Sequence, residues 1–254
     1  MTLLFAAIYV AVVVQISNLC TTIYLHRFLT HSGLRLKPVV SVSMQFWIWF
    51  HTGIKPRQWV AVHRKHHQFS DEHGDPHSPR LEGLWKVLLA NTYLYQKEAG
   101  NAETVSRYTR DIKETWIERH ITRHGNIGVV LGIALAVLLL GPLAGVLAFA
   151  VQAVLYLILN GMINGACHVL GYRNFDNTAT NIRWVALLTA GEGLHNNHHH
   201  SPSSAKLSLR RSEIDPAWPV IRLLQFLRLA EARNLLTLPS SNPLAQSQDQ
   251  PSAT

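Results

Sequence analysis

Residues 128–167 read GVVLGIALAVLLLGPLAGVLAFAVQAVLYLILNGMINGAC, forty residues without an Asp, Glu, Lys or Arg. At about 1.5 Å per helical residue this stretch reaches ~60 Å, enough to cross a hydrocarbon core of about 30 Å twice. Gly141-Pro142 and Gly145 mark a turn near its middle, which predicts a helical hairpin over about 128–141 and 143–167. Toward the N-terminus, Leu3 to Leu25 is a second uncharged apolar run of spanning length. It has neither the basic start nor the small-residue cleavage site of a secretory leader.

Pro38 to Phe50 is apolar and aromatic but lies between Lys37 and Lys55, with only 17 residues separating the charges. That is at the lower limit for a span. If it crossed, the histidines before it and those after it would face opposite sides. It is therefore read as an interfacial or re-entrant helix, about 38–52, entering and leaving on one face with its tryptophans near the headgroups. All 23 Lys and Arg residues then fall on one side, which the positive-inside rule makes cytoplasmic. The fold class expected is an all-α integral membrane domain over 1–238. It has about three transmembrane helices (about 3–25, 128–141 and 143–167) and a cytoplasmic helical cap, largely residues 71–127. Trp218 to Leu236 reads as one amphipathic helix, and 239–254, rich in Pro, Ser, Gln and Asn, as a disordered tail.

Composition agrees. Charged residues are 15% of the chain, against roughly 25% in soluble domains, which excludes an ordinary soluble globule. The two cysteines, Cys20 and Cys167, sit in apolar runs, which excludes a disulfide framework and a Cys-based metal site.

Fifteen histidines are the second anomaly. His63-Arg64-Lys65-His66-His67 places imidazoles at i, i+3 and i+4, which share a helix face, so two or three can point at one metal. His195-Asn196-Asn197-His198-His199 repeats the spacing. His26 and His31, five apart, lie about 140° apart on a regular helix and can both ligate only if the helix ends between or beside them. His168 ends the hairpin, with Asn164 one turn before it. Nine imidazoles exceed the four to six ligands of one transition metal and suit two. His77 and Glu192 are candidates to orient ligating histidines by hydrogen bonds. His51 reads as a packed residue, His73, His120 and His124 as exposed or hydrogen-bonded, and His200 as a bystander. Arg210-Arg211 reads as a solvated basic pair with some affinity for anionic lipid.

The motifs H-R-F-L-T-H, H-R-K-H-H, N-G-A-C-H and G-E-G-L-H-N-N-H-H, in this order and spacing, resemble those of the membrane fatty acyl desaturases of the stearoyl-CoA desaturase and acyl-lipid Δ9 type. Phe69-Ser70-Asp71, Asp75-Pro76-His77 and Gly171-Tyr172-Arg173 fit as well. The resemblance runs from about residue 20 to 236. It implies two iron ions (Fe2+) held by His26, His31, His63, His66, His67, His168, His195, His198 and His199, with Asn164 reaching one iron through a water. It implies oxygen-dependent removal of two hydrogens from an acyl chain, giving a cis Δ9 double bond, with Trp59 lining the bend of the acyl tunnel. Where the animal acyl-CoA enzymes carry an Arg-Asp pair before the second box, this chain has Ala61 and Val62, so the carrier stays open between CoA, lipid and carrier protein.

An unactivated methylene has no acidic proton, so oxygen chemistry at a metal is required and the protein supplies ligands, position and a dry tunnel. The chain has no nucleotide-binding or haem-attachment motif. It therefore needs an external electron donor (a ferredoxin, rubredoxin or cytochrome with its reductase), alongside membrane lipid and the acyl substrate, and no nucleic acid. The setting expected is a bacterial inner membrane. Two alternatives are a di-iron hydroxylase of alkyl, sterol or carotenoid substrates and a non-catalytic metal transporter or sensor. The second predicts polar ligands within the spans.

Overall fold

The computed structural model describes residues 2–237, and the tail assigned to 239–254 lies outside them. Helix α1 (Thr2–Cys20) runs without a break into a π-helical segment, Thr21–Thr30. Strand β1 (Leu34–Leu36) leads to α2 (Pro38–Thr52), which begins on a proline and ends at Gly53 in the left-handed region. Helix α3 (Pro56–Phe69) carries the second histidine box. The cap follows as α4 (Pro79–Glu82), α5 (Leu84–Ala99) and α6 (Ala102–Tyr108), the last capped by Asn101 accepting from the amides of Glu103 and Thr104. The hairpin is α7 (Gly125–Leu140) and α8 (Pro142–Asn164). A turn at Ala166–His168, α9 (Arg183–Leu188), α10 (His195–His200), α11 (Ala217–Phe226) and β2 (Ala230–Ala232) complete the chain.

The leading segment, Leu3–Thr30, and the second arm of the hairpin, Pro142–His168, are long and apolar enough to cross a membrane; Gly125–Leu140 is apolar but shorter. Their outward faces are apolar: Leu4, Phe5 and Ile8 on α1, Leu138 and Leu139 on α7, and Leu143, Val146 and Val154 on α8 are all exposed. A belt of this size on a monomer marks a surface that something apolar covers. Between the helices the contacts are close and partly polar. Gln152 of α8 donates to the His51 carbonyl, and the Thr21 and Tyr156 hydroxyls lie 2.7 Å apart. A Cβ on Gly128 would collide with the Trp49 carbonyl, so only glycine lets α7 approach α2 here.

Several expectations are corrected. The hairpin begins at Gly125, three residues early, because Gly125 also packs directly on Gly53. The turn is Gly141 alone, at φ 86° before Pro142, whereas Gly145 lies inside α8 against the α7 backbone. The tryptophans of helix α2 do not face outward. Trp49 is buried and donates to the His124 carbonyl, and Trp47 donates to the Ser17 hydroxyl. The helix expected over 218–236 ends at Phe226. Arg228 turns left-handed (φ 57°) and Ala230–Ala232 pairs antiparallel with Leu34–Leu36, so the fold is helical with one short two-stranded ribbon rather than all-α.

One buried ion pair ties the C-terminal segment to α1's extension. Arg27, 1% exposed, donates through Nη1 and Nη2 to both Asp215 oxygens at 2.9 Å, through Nη1 to the Ala205 carbonyl and through Nε to the Thr22 hydroxyl. Asp215→Ala strands a buried guanidinium and is expected to cost about 3–5 kcal/mol. The expected readout is a clear drop in melting temperature of the detergent-solubilised protein, with Asp215→Asn intermediate. An unchanged melting temperature would show that the pair does not hold the segment.

Candidate metal centre

His26 and His31 sit on the π-helical segment. The His31 amide donates to the His26 carbonyl at 3.1 Å, an i→i+5 bond, and the two ring centroids are 4.9 Å apart. The wider turn brings two residues five apart onto one face, where a regular helix would separate them. The expectation that the helix must end between or beside them is thus met at His31, which caps the segment, but the widened helix is what aligns the rings.

The second and third boxes are each divided. The ligand atoms of His26, His31, His63, His67 and His198 lie within 4.8 Å of one another, as do those of His66, His168, His195 and His199. Either set is able to hold a metal ion. Helix geometry explains the division: i and i+4 fall on one side of the face and i+3 on the other. His63 and His67 therefore join one group while His66 joins the second. On α10 the pattern reverses, with His195 and His199 in the second group and His198 in the first. Of the two or three imidazoles expected to share a metal, two of each box do so and the third joins the other group.

The residues between the histidines anchor the boxes. Arg64 donates to the Leu29, Thr30 and Tyr108 carbonyls and grips Asp111 with two bonds, closing the C-terminal end of the π segment. Lys65 pairs with Glu98 at 2.7 Å. Asn196 donates to the Phe175 and Ala179 carbonyls and accepts from the Asn174 and Phe175 amides, while Asn197 donates to the Leu207 carbonyl and Glu213. These bonds stitch α10 to the loop after the hairpin.

Three carboxylates set the protonation of the rings. His26 Nδ1–H donates to Glu192 at 2.8 Å, His66 Nδ1–H to Asp75 at 3.0 Å and His168 Nδ1–H to Asp71 at 2.8 Å. Each bond fixes the proton on Nδ1 and leaves the Nε2 lone pair facing inward. His26 Nε2 and His198 Nε2 are 2.9 Å apart, His198 and His67 Nε2 are 2.8 Å apart, and the buried Nε2 atoms of His31 and His168 have no protein partner. Lone pairs so placed suit a cation between them. Burial, then mutual repulsion, holds His63, His67, His195, His198 and His199 well below the ordinary imidazole range, so they are neutral and able to ligate at pH 7. Burial would raise Asp75, but hydrogen bonding and charge from His66 and His77 outweigh it and hold its carboxyl at about 2. Asp71 is lowered likewise against burial, by bonds from His168 and Ser78.

Glu192 stands where expected, on His26. His77 does not: it is buried, stacks on His66 at 4.7 Å, and neither of its ring nitrogens has a protein partner. The hydrogen bond to His66 comes instead from Asp75, and that to His168 from Asp71. Both acids are visible in the sequence only as neighbours of the second box. His73, His120 and His124 are exposed, and His200 stacks on Phe175.

A chamber of about 670 Å3 opens beside this cluster, a volume typical of small-molecule sites. Its apolar wall includes Phe149, Ala153 and Leu157, and its lining also includes Lys55, Gln96 and Arg123. Trp59, Tyr95, Asn160 and Asn164 are shared with a smaller cavity of about 50 Å3 that touches His26, His63, His77 and Glu192. Trp59 stacks on His63 at 4.8 Å and 13°, and Asn164 donates to Asn91. His51 is packed as expected, stacked on Trp47, and also lines the chamber.

Comparison with known proteins agrees with this chemistry. The family model described as fatty acid desaturase matches residues 2–227. A Delta-9 desaturase-like 2 protein of Arabidopsis thaliana is 33% identical over 220 residues, 85% of this chain and 72% of the relative. An acyl-CoA C20 Delta5-desaturase of Anemone leveillei is 34% identical over 216 residues, 83% and 67% of the two chains. A Delta-9 acyl-lipid desaturase 2 of Arabidopsis thaliana is 31% identical over 221 residues, 85% and 70%. With a family match over most of its length and an iron-binding chemistry its histidine groups suit, the chain belongs to the fatty acid desaturase family and is an oxidoreductase of lipid metabolism.

Proposed function

We propose that the protein is an oxygen-dependent di-iron desaturase that places a cis double bond at Δ9 of an acyl chain. One iron would be held by His26, His31, His63, His67 and His198, the other by His66, His168, His195 and His199, with Asn164 reaching one of them through a water. The observation that carries this reading is the sorting of nine inward-facing imidazoles into groups of five and four. Bound iron would supply the oxygen-activating chemistry that an unactivated methylene needs.

The protein's own part follows from its residues. The carboxylates of Glu192, Asp75 and Asp71 hold three ligands in one tautomer. Trp59, stacked on His63 and lining both cavities, would position the bend of the chain beside the metals. The apolar wall of Phe149, Ala153 and Leu157 would keep the chain dry and extended. Lys55 and Arg123 in the chamber lining suit a phosphate-bearing head group. The relatives' names include both acyl-CoA and acyl-lipid enzymes, and both Δ9 and Δ5, which supports CoA or lipid as the carrier; a carrier protein has no such support. Electrons would come from a ferredoxin, rubredoxin or cytochrome partner. The helices would sit in a membrane with the histidines on the cytoplasmic face. The relatives named above are plant proteins, which lends no support to a bacterial inner membrane.

Expression in a host of defined lipid profile tests the reaction. Mass spectrometry should find products lighter by two hydrogens with the double bond at Δ9, whereas products heavier by one oxygen would make the enzyme a hydroxylase. His66→Ala should abolish the product and lower the iron content while leaving the amount of protein in the membrane fraction unchanged. Wild-type turnover in that variant would remove His66 from the ligand set. Asp75→Ala removes the acceptor that orients His66, and such losses typically weaken metal binding 10–100-fold. Chelator titration of iron from the purified variant should show a shift of that order; an unshifted titration would make Asp75 a bystander.

A further inference from the structure

Away from the metal centre, a cleft of about 580 Å3 is lined by Arg173, Arg183 and Arg210 together with Tyr172. Two of the three guanidinium groups are held in place. Arg183 lies over the Tyr172 ring at 5.0 Å and donates to the Ser212 hydroxyl, and Arg173 donates through Nε to the Ala179 carbonyl. Among the described residues, none of the three lies within ion-pair distance of a carboxylate. Glu213, behind the cleft, is already engaged. It accepts from the Tyr172 hydroxyl, Asn174, Asn197 and the amides of Leu209 and Arg210. Three cations lining one cleft, two of them held in place, suit a phosphate by charge and by geometry.

The surroundings select the source of the phosphate. Leu170, Trp184, Leu187 and Ile214, close in sequence to the cleft residues, are each more than half exposed. The Leu188 carbonyl accepts from Gln15 and Asn18 of α1, which pins α9 against the upper part of the long apolar helix. If α1 spans the bilayer, this is the depth at which headgroups begin. Cations beside exposed apolar side chains match a lipid, phosphate in the cleft and acyl chains along Trp184 and Leu187. The geometry points to a binding site for the phosphate of an anionic phospholipid formed by Arg173, Arg183 and Arg210. The site goes beyond the catalytic reading and rests only on the membrane reading of α1.

The full-length protein in nanodiscs tests this, with bound lipid read by native mass spectrometry. Phosphatidylglycerol should be retained over phosphatidylcholine. Each Arg→Gln change among the three should weaken that preference about five-fold, and the triple variant about 100-fold. Arg210→Gln alone serves as the measure if the triple variant does not fold. Equal retention of the two lipids, or an undiminished preference in Arg210→Gln, overturns the proposal. Displacement of the lipid by millimolar inorganic phosphate would make the cleft a free-anion site and also overturn it. So would variants that keep their lipid preference but accept electrons more slowly from an acidic donor, because the cleft would then dock the redox partner. A chain that does not enter neutral nanodiscs overturns the membrane reading and this site together; one that enters and shows no preference overturns the site alone.

Discussion

The structure depends on nine imidazoles, six buried and three partly so, with their lone pairs turned toward one another. Neutral rings so arranged repel and leave unsatisfied acceptors in a dry interior, which is costly. What stabilises them is anchorage from behind. Glu192, Asp75 and Asp71 hold the outer nitrogens of three rings, while Arg64, Asn196 and Asn197 fasten the backbone around the boxes. The arrangement is intelligible as a cation site and hard to account for otherwise. Much of the cap then has the role of rigid support, which places the residues between the histidines on nearly the same footing as the histidines themselves.

Much of this was legible in the sequence, for physical reasons. Uncharged stretches of spanning length leave little freedom, since a buried helix satisfies its own backbone. Gly141-Pro142 could hardly sit inside a helix, so the hairpin was visible. The expectation that His26 and His63 share one site rests on their spacing and motif, and the two rings do lie 4.7 Å apart. What stayed hidden was set by contacts distant in the chain. The π-helical widening at Thr21–Thr30 has no propensity signature, and the spacing of His26 and His31 suggested a broken helix instead. The tryptophans of α2 look like headgroup anchors by composition, yet Ser17 and the His124 carbonyl claim their N–H groups. The end of α11 at Phe226 follows from pairing of Ala230–Ala232 with a strand almost two hundred residues earlier, and the amphipathic pattern alone runs straight through it.

The division of the boxes carries a lesson about spacing. An i, i+3, i+4 triplet shares a face broadly, but that face is wide enough to serve two centres. Two helices meeting with opposite assignments make the groups complementary: α3 gives the first group two rings and the second one, while α10 gives one and two. His26 and His31 complete the first group from the π segment. His168 completes the second from the end of the hairpin. Without that turn at Ala166–His168 the second group would have only three rings, so the apolar hairpin contributes to the chemistry as well as to anchorage.

The carboxylates are shared unequally in the compensating direction. Asp71 and Asp75 both stand behind the four-membered group, through His168 and His66, whereas only Glu192 stands behind the five-membered group, through His26. An imidazole whose outer N–H donates to a carboxylate is the stronger donor. The group with fewer rings therefore has more of its rings strengthened and more negative charge behind it. Glu192 is in turn bonded by Thr22, which accepts from Arg27, which is held by Asp215. A continuous chain of polar contacts thus joins the five-membered group to the ion pair that fastens the C-terminal segment. Folding of residues far from the histidine boxes, and the orientation of a ligand inside them, are settled by the same set of bonds.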